Sequence, residues 1–222
     1  MIWRSVLRLH LAVVELVLLV AVLGCAVLKP KEMPEPDPMV GKLLVASPSM
    51  PEPLFRRTVI LIVQHDSQGV LGLIVNRPAK EIALSKIEEL MGQKDKKVEG
   101  SVPVIAGGPV DPTAFFVLHT TDYHRPETID LDKHVAVTTS PEIFRDMGEK
   151  KGPEKSLIAF GYVGWSPGQL EEEMKRKAWL THPATLELVF ETKPEKLWPM
   201  ILRQKGGKYR LLAETPEDLS MN

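Results

Sequence analysis

Two apolar, β-branched runs separated by four turn residues govern what this chain can fold into. Thr58-Val-Ile-Leu-Ile-Val-Gln64 shows no polar alternation, which is the pattern of a strand covered on both faces. His65-Asp66-Ser67-Gln68 reads as a turn, and Gly69-Val-Leu-Gly-Leu-Ile-Val75 returns as a second such strand. Together they predict a central hairpin that needs other elements on both sides. Gly72 inside the returning strand predicts a bulge or a close backbone approach.

The rest of the chain supplies those elements. Asn76-Arg77-Pro78 ends the hairpin, and Ile82, Leu84, Ile87, Leu90 and Met91 mark an amphipathic helix. Gln93 to Gly100 reads as a solvated loop. Val102 to Ala106 and Ala114 to His119 read as strands joined through Gly107-Gly108-Pro109, where a turn requiring positive φ explains the glycines. Val135 to Thr138 and Leu157 to Val163 are further strands. Ser140 caps a helix entered through Pro141.

Ser166 and Gln169 have capping-box spacing, with Pro167 at the first helical position. Behind them Glu171, Glu172 and Glu173 stand four residues ahead of Lys175, Arg176 and Lys177, predicting three i,i+4 pairs beside an apolar stripe of Leu170, Met174 and Ala178. Leu186 to Glu191 alternates like a strand. Thr192 and Glu195 repeat the capping-box spacing ahead of Leu197, Trp198, Ile201 and Leu202. Gly206-Gly207 ends that helix, and Tyr209 to Leu212 reads as a last strand. Hairpins and helices without a βαβ rhythm predict a mixed α/β domain, residues 40–222, with a largely antiparallel sheet flanked by helices.

Composition narrows the function. Hydrophobic residues are 44% and charged residues 26%, an ordinary globular balance that excludes disordered or coiled-coil classes. Lys and Arg total 28 against 29 for Asp and Glu, so nucleic acid would have to find a local basic patch. A single cysteine excludes an internal disulfide framework and cysteine-rich metal sites.

Residues 1–28 differ from the remainder. Arg4 and Arg8 precede an apolar run from Leu11 to Leu28, interrupted by Glu15, Gly24 and Cys25. Eighteen helical residues reach about 27 Å, close to the hydrocarbon core of a bilayer. The first expectation is an apolar helix anchoring the domain in the bacterial inner membrane. A lipoprotein signal ending at Cys25, and a cytoplasmic protein whose translation starts at Met33 or Met39, are the alternatives. The ten residues KPKEMPEPDP, within a linker over 29–39, contain four prolines and read as an extended spacer.

Few residues carry chemistry. Gly164-Trp165-Ser166-Pro167-Gly168 matches G-x-S-x-G between a strand and a helix, the context of a nucleophile elbow. Pro167, however, has no N–H to give an oxyanion hole, and the bland role of Ser166 is to cap a helix. Histidines 10, 65, 119, 124, 134 and 182 form no compact ligand pair, and His119 with His124 makes only a weak metal candidate. No phosphate-binding glycine loop, metal site or cofactor is expected. Arg56-Arg57 and Asn76-Arg77 border the same end of the hairpin, where arginines bind an anion or pair with loop acids.

Gly41-Lys-Leu-Leu-Val-Ala-Ser-Pro48, Phe55-Arg-Arg-Thr-Val59 and Gly72-Leu-Ile-Val-Asn-Arg-Pro78 resemble the opening of the AlgH/YqgE family. Ala106-Gly-Gly-Pro-Val110, Leu118-His119, Gly161-Tyr-Val-Gly-Trp165, Gly168-Gln-Leu-Glu171 and Trp179-Leu180 resemble its later blocks, in order. The resemblance implies a bacterial, usually cytosolic, single domain with a barrel-like sheet, beginning near Met39. It also implies a proposed role in transcriptional regulation and no established enzymatic activity. By resemblance Arg57, Asn76, Arg77, Gly107, Gly108, His119, Trp165, Gln169 and Trp179 occupy motif positions. The leading expectation is a non-catalytic regulatory or interaction module whose partner is an unknown protein or a small anionic ligand. A rival is an anion- or nucleotide-binding protein or enzyme using Arg57, Arg77 and His119 in one cleft. Direct DNA regulation is a third, and a membrane anchor would weigh against it.

Overall fold

A computed structural model of the chain describes residues 39–90 and 99–213. The two apolar runs form strands β2 (Val59–Asp66) and β3 (Gly69–Ile74), hydrogen-bonded as the expected hairpin. The register slips by one residue between Ile62 and Gln64, opposite Gly72. A Cβ on Gly72 would meet Ile60 Cγ2 at 2.5 Å, so the glycine serves both the bulge and the close approach.

The hairpin lies inside a ten-stranded sheet. Its other strands are β1 (Lys42–Ala46), β4 (Pro78–Ala83), β5 (Ser101–Ala106), β6 (Val110–Thr120), β7 (Ile129–Asp130), β8 (Val135–Thr138), β9 (Ser156–Trp165) and β10 (Trp179–Pro183). The order is β10-β1-β2-β3-β9-β6-β8-β7, with β4 pairing β5 and β5 pairing β9. The β5–β9 pair is parallel and the other pairings are antiparallel. This is a mixed α/β domain whose curled sheet is a half-barrel. The helices are α1 (Leu84–Leu90), α2 (Glu142–Gly148), α3 (Gln169–Lys175), α4 (Pro194–Lys205) and α5 (Gly207–Leu212).

Strand parity sorts the core. Leu43, Val45, Leu61, Leu73, Ile105, Leu118 and Val137 point to one face and pack against Leu197, Trp198, Ile201 and Leu202 of α4. On the other face Leu44, Ile60, Ile62 and Ile74 meet Leu170 of α3, while Val104, Val117 and Ile158 meet Ile143 and Phe144 of α2. Strand β9 serves both faces through Gly161, whose φ of 71° makes a kink. Before it Leu157 and Ala159 face α4; after it Tyr162 does, because the kink shifts the alternation by one residue.

Several expectations are corrected. Leu186 to Glu191 is not a strand but a π-helical turn, Glu187–Glu191, because Leu188 and Val189 are both buried against α4's side of the sheet. Tyr209 to Leu212 is helical. Residues 78–83 form a strand ahead of a helix that starts at Leu84. The first capping box is half made, since the Gln169 side chain accepts from Ser166 N at 3.1 Å while α3 begins at Gln169 behind a left-handed Gly168; the second does not form, as α4 begins at Pro194 and the Thr192 hydroxyl donates to Glu187 O. Ser140 likewise sits one residue too early, and its hydroxyl donates to Glu142.

Met91 and residues 93–98 of the expected loop lie outside the described residues, as do residues 1–38. The transmembrane helix expected from the sequence is not found among the described residues. Among the described residues no helix is long and apolar enough to cross a membrane. The longest of them, α4, has 12 residues and spans about 18 Å.

Candidate functional site

The motif residues fall into four places. At the first, the hairpin end, Asn76 bridges both strand ends. Its side-chain amide donates to Arg57 O at 2.8 Å, and its carbonyl accepts from Val59 N at 2.8 Å. Arg57 has a φ of 58°, and its guanidinium lies 5.0 Å from the ring centroid of Trp198, a cation–π contact. Arg77 donates to Leu54 O, and burial pulls its guanidinium below the ordinary arginine value. Arg56 donates to Met50 O at 3.3 Å. The expectation that these groups share one end of the sheet holds. They grip backbone carbonyls and an indole face, which gives them a bracing role.

The second place is the kink in β9. Gly107 N donates to Phe160 O, and Gly107 O accepts from Ile74 N, each at 2.8 Å. One residue thus ties β5, β9 and β3 where β9 changes partner from β5 to β3. A Cβ on Gly108 would lie 2.1 Å from Tyr162 C and O, and one on Gly107 would lie 2.4 Å from Gly161 O. Positive φ is not the reason for this pair, contrary to expectation, since the left-handed glycine here is Gly161. Close backbone approach is.

Third, Trp165 and Trp179 stack edge to face, 5.9 Å between centroids. Both indole N–H groups donate to Glu173 Oε2, at 3.0 and 2.7 Å. Gln169 donates to Glu173 Oε1 at 2.9 Å and accepts from Ser166 N at 3.1 Å. Burial pushes the Glu173 carboxyl up, but the bonds from Trp179, Gln169 and Trp165 outweigh it and hold the group below the ordinary glutamate value. Sequence reasoning missed Glu173, assigning it to Lys177. Of the three expected i,i+4 pairs none forms: Glu172 pairs with Lys175 at i,i+3, 2.6 Å apart, and Glu171 meets His65 Nε2 at 3.0 Å. Helix α3 stops at Lys175, and Lys177 turns away at a φ of 59°.

The fourth place is His119, fully buried on β6 between β8 and β9. Its Nδ1–H donates to Thr120 O at 2.9 Å, and its ring stands edge-on to Tyr123 at 5.5 Å. Nε2 has no hydrogen-bond partner among the described residues. Burial holds the imidazole below its ordinary value and therefore neutral at pH 7. Tyr123 in turn donates to Asp146 at 2.7 Å, where Arg125 also binds through Nε at 2.9 Å. The structure thus brings Arg57, Asn76 and Arg77 together and places His119 elsewhere, two strands beyond β3 in the sheet order.

The serine of G-x-S-x-G is exposed, and its carbonyl accepts from Gln169 N. His182 lies on β10, where Nδ1 donates to Pro183 O and Nε2 meets Gln204 of α4 at 3.1 Å. His124 contacts Asp130 at 3.7 Å. Among the described residues no group of three His, Cys, Asp or Glu side chains is arranged to hold a metal ion.

The sequence and the fold both match a known family. A family model described as AlgH-like aligns with residues 43–210. The chain belongs to the AlgH-like family. A UPF0301 protein from Jannaschia sp. is 43% identical over 173 residues, covering 76% of this chain and 88% of that relative. Another, from Methylococcus capsulatus, is 38% identical over 180 residues, covering 81% and 98%. The solution structure of the AlgH protein from Pseudomonas aeruginosa superimposes with a TM-score of 0.65 at 34% identity, over 80% of this chain and 94% of that one. A crystal structure of a Corynebacterium diphtheriae protein shares the AlgH-like fold at a TM-score of 0.63 and 22% identity.

Proposed function

We propose that the AlgH-like domain is a non-catalytic regulatory or interaction module. The observation that carries this reading is the engagement of the polar motif side chains within the fold. Asn76, Arg77, Trp165, Gln169 and Trp179 all have intrachain hydrogen-bond partners, and Arg57 lies against Trp198. Groups so occupied brace the sheet ends that a partner would recognise. A reacting set needs a nucleophile, its base and an oxyanion donor within mutual reach. Here Pro167 follows the motif serine, and His119 and His182 sit on different strands with partners of their own. A transcriptional role is a narrower form of this reading; a net charge of −1 gives no general field for DNA.

The competing cleft of Arg57, Arg77 and His119 lacks convergence, because the arginines gather at the hairpin end and His119 is buried under Tyr123. The test profiles the full chain by thermal shift against nucleotides, inorganic phosphate and duplex DNA, beside a hydrolase and transferase substrate panel. Absence of turnover that depends on a motif residue supports the reading. Turnover abolished by His119→Asn in a folded protein overturns it.

A further inference from the structure

Away from the motif residues, the fold contains a cavity of about 340 Å³ between the β4–β5 pair and the π-helical turn Glu187–Glu191. Its floor is Val75, Ile105, Leu157 and Val189, all members of the core that packs on α4. Phe190 and Thr192 form its other wall. Pro78, Pro103 and Pro194 also line it, and none of these has an N–H that water would have to satisfy. The walls are therefore apolar and stiff, the character of a preformed small-molecule site, and the volume lies within the usual range for one.

Two irregular pieces of backbone converge on this space. The β4–β5 register slips between Pro78 and Lys80, leaving Ala79 outside the ladder, and Ala79 lines the cavity. Across from it stands the π-helical turn, a rare form that occurs frequently at functional sites.

The polar lining indicates the ligand's head group. Lys80 lines the cavity and has no hydrogen-bond or ion-pair partner among the described residues. Glu81, which also lines the cavity, accepts from the Ser101 hydroxyl at 3.0 Å. Lys155 and Glu191, each next in sequence to a lining residue, neutralise one another at 3.1 Å. Lys80 is thus the charged lining group without a partner among the described residues, and it stands beside a backbone segment outside the ladder, at an apolar chamber. We infer that this cavity binds an amphipathic carboxylate, with its hydrocarbon part on the Val75–Leu157 floor and its carboxylate at Lys80.

The test is an amide NMR titration of the full chain with octanoate, octanol and octylammonium. Octanoate is expected to shift the amides of residues 79–81 and 189–192 and to bind more tightly than the other two. Lys80→Glu changes an exposed side chain and leaves the fold intact; it is expected to weaken octanoate about fivefold, the factor an accessible ion pair supplies. Octanoate leaving those amides unmoved, octylammonium or octanol binding equally well, or Lys80→Glu leaving the affinity unchanged would each overturn the inference. None of these outcomes touches the non-catalytic reading, which rests on the motif side chains.

Discussion

His119 shows how one side chain makes stability depend on pH. A buried imidazole whose Nε2 lone pair has no partner among the described residues costs about 1–3 kcal/mol of desolvation, and protonation there would add a buried charge. Asp122 and Asp130 favour that charge and His124 opposes it, but burial is the largest effect and keeps the group neutral. The unfolded chain takes up a proton near the ordinary histidine value, while the folded chain resists until lower pH. The contribution of His119 is therefore complete above that ordinary value and is lost as pH falls below it, at no more than about 1.4 kcal/mol per pH unit. Urea unfolding at about pH 7.5 and about pH 5.5 should show a smaller loss in His119→Gln than in the unsubstituted protein. Equal losses would mean that the imidazole titrates alike in both states.

At the scale of elements, α3 is fastened by a carboxylate rather than by its charge pairs. Glu173→Ala leaves two indole N–H groups and the Gln169 amide without their acceptor, and should cost about 2 kcal/mol with a red shift in tryptophan emission. Glu172→Ala removes only an exposed pair with Lys175 and should stay within about 0.5 kcal/mol, with emission unchanged. That distinction was invisible in the sequence, where three glutamates precede three basic residues at identical spacing. The central hairpin was legible because unbroken β-branched runs have few other uses. The Glu187–Glu191 turn was not, since its alternation fits a strand and only packing against α4 decides otherwise. Strand β10, with its histidine and terminal proline, carries too weak a pattern to announce itself. At the candidate site, the grouping of Arg57, Asn76 and Arg77 followed from antiparallel pairing, whereas the solitude of His119 depended on a strand order that no local pattern encodes.

For the whole molecule, β9 is the organising element. It pairs with β6 along one edge and with β5 and then β3 along the other. Amides of Leu157 to Val163 should therefore exchange with solvent only through global unfolding. Those of β4, exposed along most of its length and paired to β5 alone among the described residues, should exchange through local opening. Hydrogen exchange followed in increasing denaturant checks this: β9 protection tracking the global unfolding energy is the expected result, and a β4 that merges with it only at high denaturant completes the pattern.

The junction at β9 also bears on how such a domain diversifies. The chain leaves β3 beyond Ile74 and pairs with β9 over Val104–Ala106, and Ala106 N donates to Arg77 O at 2.9 Å, so the two ends of the intervening segment touch. Between them lie β4 and α1, a cassette that packs on the rest of the fold through Leu84 and Ile87. It can be exchanged or resized while the doorway it hangs from stays shut, and it carries one wall of the apolar chamber with it. Relatives that keep the scaffold and swap the cassette would acquire a new ligand preference in a single step.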